Sequence, residues 1–477
     1  MKKGILLPIS SLPSPYGIGT FGKTAFSFCD FLSKTGQDSW QILPLGITSF
    51  GDSPYQSPSS YALNPYFIDL DLLIEEGLIQ QEDVKDCDSS RYINYEKLYF
   101  TRREILKKAS KKVEEGVEYK KFLKENKDWI DEYATFMSIK EKNNGREWSS
   151  WEDKYKNRNR RAIKTFKEEN YELIEYYKKE QYLAFCQWKR LKNYANDKGI
   201  EIIGDMPIYN AYDSHDVWAN KKYYQLDKKH NPTAVAGVPP DAFTAEGQLW
   251  GNPLYNFEKM KEDGYSFWLK KLKHQKKLFD VVRIDHFRAF ESYFSIPYGK
   301  KPKEGKWVKA PGEEIFKKVK EQIDVDIIAE DLGIITPAVR RLLKACKFPN
   351  MMVLQFANFS NSKHEYLPQN YPKNCVAYTG THDNDTTLSW YQSLADEDKK
   401  RVEKLSGDGV VVFGIIKKLM NSRANRVIIP MQDYLLEGGE GRINYPGKDS
   451  GNWTYRIDKS VLDNRFIIRT VKELSKR

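Results

Sequence analysis

The chain has 477 residues, 40% of them hydrophobic and 30% charged, with a formal net charge of +11. That length allows about three domains, or one large barrel with insertions. No apolar run approaches the roughly 18 residues of a membrane span, and the apolar start of MKKGILLPIS stops at Pro8, too short for a secretory leader.

Two further counts narrow the class. Five cysteines lie at 29, 87, 186, 346 and 375 with no C-x-x-C pair, which fits reduced thiols in the cytoplasm. The lysines are mixed with glutamates on helical stretches such as 102–142 and 164–192, the pattern of a solvated face. No RNP-like, zinc-finger or helix-turn-helix signature occurs, so nucleic acid is not an expected partner, and neither is a membrane.

In chain order, residues 5–9 read as a first strand, 24–34 as a helix and 40–45 as a second strand. Residues 46–65 form a long loop rich in Gly, Ser, Pro and Tyr; loops of that length are usually functional or disordered, and its tyrosines favour an ordered binding loop. Residues 74–196 are rich in Lys, Glu and Tyr with helical periodicity, and read as a helical insertion. Strand three is 201–208, followed by a second long loop over 209–257. A helix at 258–278 leads into strand four, 279–287. The remaining strands fall at 327–332, 351–357, 375–382 and 426–432, with helices at 336–346, 386–394 and 459–475. Eight short apolar strands alternating with helices predict a parallel (β/α)8 TIM barrel of the α/β class. A doubly wound open sheet is the competitor, but no G-x-G-x-x-G follows the first strand and no phosphate loop is present.

The strand ends carry the chemistry. FDVVRIDHFR (279–288) opens as a buried strand and then places Arg283, Asp285 and His286 at its carboxyl end, where barrels bind their ligands. This stretch alone does not separate a structural Arg283–Asp285 ion pair from a catalytic carboxylate. Asp205, Glu330 with Asp331, and His382 with Asp383 end three other strands. The six histidines show no H-x-H at the first strand, and a carboxylate-only magnesium site lacks phosphate-binding features beside it, so no metal or cofactor is expected.

Glycoside chemistry needs one ionised and one protonated carboxyl group flanking the scissile bond. Arg283, on the same side of the strand as Asp285, is expected to keep it ionised as a nucleophile. Burial is expected to raise Glu330, suiting it to act as general acid and base. Asp383 would bind sugar hydroxyls. The two long loops add Tyr55, Tyr61, Asp241, Gln248 and Trp250 as aromatic and polar sugar-binding groups.

VVRIDHFRAF, IIAEDLG and TGTHDND resemble the catalytic regions of the α-amylase clan. GDSPYQSPSSYALNPYFIDLDLL, IIGDMPIYNAYDSHDVWAN, AGVPPDAFTAEGQLWGNPLYNF and INYPGKDSGNWTYR narrow the resemblance to the amylomaltases, the bacterial 4-α-glucanotransferases of glycoside hydrolase family 77. The resemblance implies retaining transfer of α-1,4-glucan segments from maltodextrin or amylose to the 4-hydroxyl of another glucan or of glucose. A retaining hydrolase using the same carboxylates is the alternative. It further implies Asp285 as nucleophile, Glu330 as acid/base and Asp383 as transition-state stabiliser. Arg283 and His382 would support the donor sugar, with Ser53, Tyr55 and Asp205 lining that region. Asp241, Gln248 and Trp250 match a loop over the glucan groove. Asn444 and Asn452 lie in a matching stretch without an assigned role. The Asn-His pair common in α-amylases is missing after Asp205, and little chain remains after strand eight for a C-terminal β-sandwich; both speak against a plain amylase and its calcium site.

Overall fold

Short β-branched and apolar runs, too brief for helices and bounded by polar residues, set the strands of this protein. The computed structural model describes residues 1–84, 90–240, 246–448 and 450–476. Its strands are β1 (Lys2–Leu6), β2 (Ser39–Gln41), β3 (Glu201–Met206), β4 (Ala234–Val238), β5 (Gln248–Pro253), β6 (Val281–Ile284), β7 (Ser292–Pro297), β8 (Lys306–Lys309), β9 (Asp326–Ala329), β10 (Asn350–Val353), β11 (Cys375–Tyr378) and β12 (Arg426–Pro430). Eight of them form one parallel sheet in the order β10-β11-β12-β1-β2-β3-β6-β9. This is a (β/α)8 barrel. Every residue of β6 and β11 is buried, as expected of strands covered on both faces.

The barrel has a seam. Its sheet ends, β9 and β10, share no ladder among the described residues. They meet through Ala329 N–H donating to the Pro349 carbonyl (3.1 Å) and Met351 N–H donating to Asp331 Oδ1 (2.9 Å). Burial pushes the Asp331 carboxyl up to about 8.

Between β2 and β3 the described residues are helical or irregular. The helix Tyr171–Asp197 returns the chain to the barrel, burying Ile174, Leu183, Ala184, Trp188 and Leu191 at helical spacing. Its Gln181 and Gln187 side chains each bond the backbone of the long first loop and its continuation, Gln181 at Leu63 and Gln187 at Asp69. A buried amide that satisfies both an N–H and a C=O fixes that segment against the barrel wall. Among the described residues no helix is long and apolar enough to cross a membrane.

Three expectations need correction. β1 ends at Leu6, because Pro8 leads into a 3-10 turn at Ile9–Ser11. β6 is four residues long, since Asp285 and His286 leave the ladder and a second turn follows at Phe287–Phe290. The segment 209–257 is not all loop. Its β4 and β5 join β7 and β8 in an antiparallel sheet of order β5-β4-β7-β8. The β4/β5 and β7/β8 pairs join consecutive strands, but the β4/β7 pairing that unites them spans β6 in sequence.

Gly204 in β3 lies under the Phe279 ring, and a Cβ there would stand 2.1 Å from it. Gly204→Ala is therefore expected to cost about 1–3 kcal/mol by overpacking. The check is a lower denaturant midpoint at unchanged slope.

Candidate active site

Strand register builds the site. β3 and β6 pair Asp205 with Arg283, and β6 and β9 pair Ile284 with Ala329, so Asp285 and Glu330 follow as neighbours at the carboxyl mouth. Asp383 enters from the loop after β11. A cleft of about 730 Å³ opens there, within the usual range of roughly 300–1,000 Å³ for ligand pockets. Its walls include Ser53, Tyr55, Gln248, Trp250, Arg283, Asp285, Glu330, His382 and Asp383. Asp205 lies beneath, bonded to Tyr55 and Arg283. Asp241 lies outside the described residues. No group of three or more metal-ligating side chains occurs among the described residues.

The polar floor is a tight network. Arg283 Nη1 donates to both Asp205 oxygens, at 2.7 and 2.6 Å, and more weakly to Asp285 Oδ1 at 3.3 Å. The Tyr55 hydroxyl donates to Asp205 Oδ2 (2.8 Å) and lies 2.9 Å from His382 Nε2. Tyr55 and His382 stack with ring centroids 5.5 Å apart. Ser53 Oγ accepts the Tyr55 N–H at 3.2 Å and shapes the turn that aims the ring. Burial lowers the affinity of His382 for a proton, with Asp383, 3.3 Å from its Nε2, acting in the opposite sense.

Glu330 is held by backbone. Its two oxygens accept N–H groups from Leu332 (2.6 Å) and His286 (2.7 Å). Burial nevertheless raises its carboxyl above the ordinary range, with Arg283 and these two N–H bonds opposing. Asp285 departs from the expectation of a depressed carboxyl. Burial pushes it well up, Arg283 pulls it down, and Asp205, Glu330 and Asp383 push it further up. The reason is that Arg283 is shared: its closest bonds go to Asp205.

Some working parts were not read from the sequence. Asn444 Nδ2 donates to Asp383 Oδ1 at 2.6 Å, and Arg442 ties the same loop down through the Asp383 carbonyl (2.9 Å). Trp453, with a positive φ of 63°, packs against both Tyr55 and His382. Trp250 and Gln248, both named from the sequence, arrive on β5; the indole N–H bonds Gln248 Oε1 at 3.0 Å, and the ring meets His286 edge to face.

Fold and site together define a barrel enzyme whose acids cluster at the carboxyl ends of its strands. The chain belongs to the 4-alpha-glucanotransferase family, whose pattern it matches over residues 7–461, and its activity is that of a 4-α-glucanotransferase. It is 46% identical over 472 residues to the 4-alpha-glucanotransferase of Clostridium butyricum, covering 96% of each chain. It is 42% identical over 498 residues to that of Streptococcus pneumoniae TIGR4, covering 99% of each. Among solved structures, the amylomaltase from Streptococcus agalactiae in complex with acarbose superposes with a TM-score of 0.96 at 38% identity, covering 99% of this chain and 98% of that one.

Proposed function

We propose that the enzyme transfers α-1,4-glucan segments by retaining double displacement. Asp285 attacks the anomeric carbon of a bound maltodextrin or amylose while Glu330 protonates the departing O4, leaving a glycosyl ester on Asp285. The 4-hydroxyl of an acceptor glucan or glucose then gives its proton to Glu330, its oxygen bonds the anomeric carbon, and the ester bond to Asp285 breaks. Asp383 holds sugar hydroxyls through both steps, with Arg283, His382, Ser53, Tyr55 and Asp205 around the donor sugar. No metal or cofactor enters any step.

The observation that carries this reading is the β6/β9 register. Neighbouring strands lie about 4.8 Å apart, and retaining glycosidases space their carboxyls by about 5–5.5 Å. Burial raises both carboxyls and Arg283 opposes it at each, the setting in which one of two adjacent carboxyls serves as acid and the other as base. In the same reading the 74–196 region is an inserted helical subdomain of a single catalytic barrel. The 209–257 segment covers the glucan groove, where β5 brings Gln248 and Trp250. The setting is cytoplasmic, in keeping with free thiols at Cys29, Cys186, Cys346 and Cys375.

Incubation with maltotriose tests the reaction. Glucose and a ladder of longer maltodextrins are expected; shorter products alone would overturn transfer. Proton NMR of the transfer products should show the newly formed linkage as α-1,4, and a β-linkage would overturn retention. Within this scheme, Asn444→Ala frees the Asp383 carboxylate from a charge-assisted bond. Its expected effect is a fall in kcat of about 10- to 100-fold. The check is initial glucose release from maltotriose, with the melting temperature as control for folding.

A further inference from the structure

We infer that Arg288 is a positioning residue for Glu330, and that the outer β5-β4-β7-β8 sheet sets through it how firmly the acid is held; the inference rests on the double-displacement reading above. Arg288 stands outside the cleft wall, in the turn Phe287–Phe290, and its side chain is buried. A buried cation is costly unless a carboxylate or good hydrogen bonds compensate it. Among the described residues no carboxylate lies within ion-pair distance of Arg288, and Glu291, close by in sequence, pairs with Lys309. Nε has no partner there either. The charge is kept for what the two terminal nitrogens and the flat face of the guanidinium hold.

They brace the two segments that fix the acid. Glu330 is held by two backbone donors, His286 N–H at 2.7 Å and Leu332 N–H at 2.6 Å. The first opens the turn that carries Arg288. The second belongs to 332–335, a stretch outside helices and strands. Among the described residues that stretch makes two hydrogen bonds: Leu332 N–H to Glu330, and the Ile334 carbonyl accepting from Arg288 Nη1. Arg288 thereby ties one donor-bearing segment to the other, across the carboxyl group they share.

The brace is anchored outside the barrel. Nη2 donates to Ser292 Oγ on β7 at 3.3 Å, and the guanidinium carbon lies 3.5 Å from the ring centre of Trp307 on β8. A flat cation that close over an indole is a firm cation–π contact. Trp307 in turn packs on Phe294 of β7, against a small core of Val235, Phe294 and Ile296 that is separate from the main one. The sheet holds the guanidinium by its own core, and the guanidinium holds 332–335. A sheet that meets no reacting atom thus bears on the proton donor. Losing the Leu332 bond would leave the ionised carboxyl less stabilised, so Glu330 would keep its proton to higher pH.

Donor chemistry separates this role from a general one in folding. Maltotriose needs a proton on its leaving oxygen, whereas α-maltosyl fluoride needs none. Arg288→Met should lower kcat/KM for maltotriose by about 10- to 100-fold, while first-turnover fluoride release from α-maltosyl fluoride changes by less than about twofold. The limb of the maltotriose pH profile that reports loss of the Glu330 proton should move to higher pH. Arg288→Lys keeps a cation and a donor but loses the flat stack, and should recover part of the rate. Trp307→Leu, at a half-buried position on the outer sheet, should show the same donor split more weakly, and carries the test if Arg288→Met does not fold. Equal falls on both donors in Arg288→Met, or unchanged turnover of maltotriose, would overturn the inference. A Trp307→Leu enzyme that keeps the unmodified ratio between the two donors would overturn the sheet's part in it. Glu330→Gln, run alongside, tests the reading beneath: if it shows no donor split, Glu330 is not the acid, and the inference falls with the scheme.

Discussion

Asp285→Asn is expected to lower kcat/KM for maltotriose by about four orders of magnitude or more, the scale seen when a covalent nucleophile is removed. That is a loss of roughly 5.5 kcal/mol of transition-state stabilisation. Binding should persist, because the Arg283–Asp205 pair and Glu330 keep their own partners without the Asp285 charge. Glu330→Gln separates the two carboxyls. It should be comparably slow on maltotriose, whose leaving oxygen needs a proton, yet form the glycosyl-enzyme readily from α-maltosyl fluoride, whose leaving group needs none. Fluoride release without matching product release, with a glucan adduct on the Asp285 peptide by mass spectrometry, is the expected signature. An adduct on another residue would show that Asp285 is not the nucleophile.

Arg283→Met should have the larger effect on stability. The guanidinium is buried with Asp205, and both are almost fully inaccessible, at 3% and 0% of their side-chain surface. Removing one partner of such a pair typically costs about 3–5 kcal/mol, because the other charge is left buried. Activity should shift as well. Arg283 pulls down both Asp285 and Glu330, so its loss raises both. Turnover that needs ionised Asp285 fails as pH falls through its pKa, so the acid limb of the rate profile should move toward higher pH. Denaturant melts and kcat/KM profiles between pH 5 and 9 give both readouts.

The barrel was legible because each strand is a short apolar run whose polar residues collect at one end. The acids of β6 and β9 and of the loop after β11 were legible for the same reason. Boundaries were not, since Asp285 and His286 look like strand residues until the left-handed turn at His286 is seen. The main partner of Arg283 was missed because Asp205 is 78 residues away and becomes a neighbour only through the β3/β6 register. Two residues of sequence made Asp285 look like the favoured partner; geometry reverses the order. Asn444 and Asp383, 61 residues apart, fail for the same cause. The second sheet escaped because its strands are short, some of them partly exposed, and its two strand pairs are united only by the long-range β4/β7 pairing.

The seam between β9 and β10 has a mechanical consequence. A closed barrel is a hoop that resists opening equally all round; this one has a clasp. Seven strand pairings are ladders, while the eighth junction rests on the Ala329–Pro349 and Met351–Asp331 contacts. As the Asp331 carboxyl keeps its proton until about 8, alkaline solution charges a buried group at that junction and loosens the clasp first. Amide exchange should therefore rise earliest at 350–353 as pH climbs, after correction for intrinsic rates, while β1, β2 and β12 stay protected. Glu330 stands beside the clasp, so the carboxyl proposed as acid and base would ride on this laddered hoop's one unladdered arc.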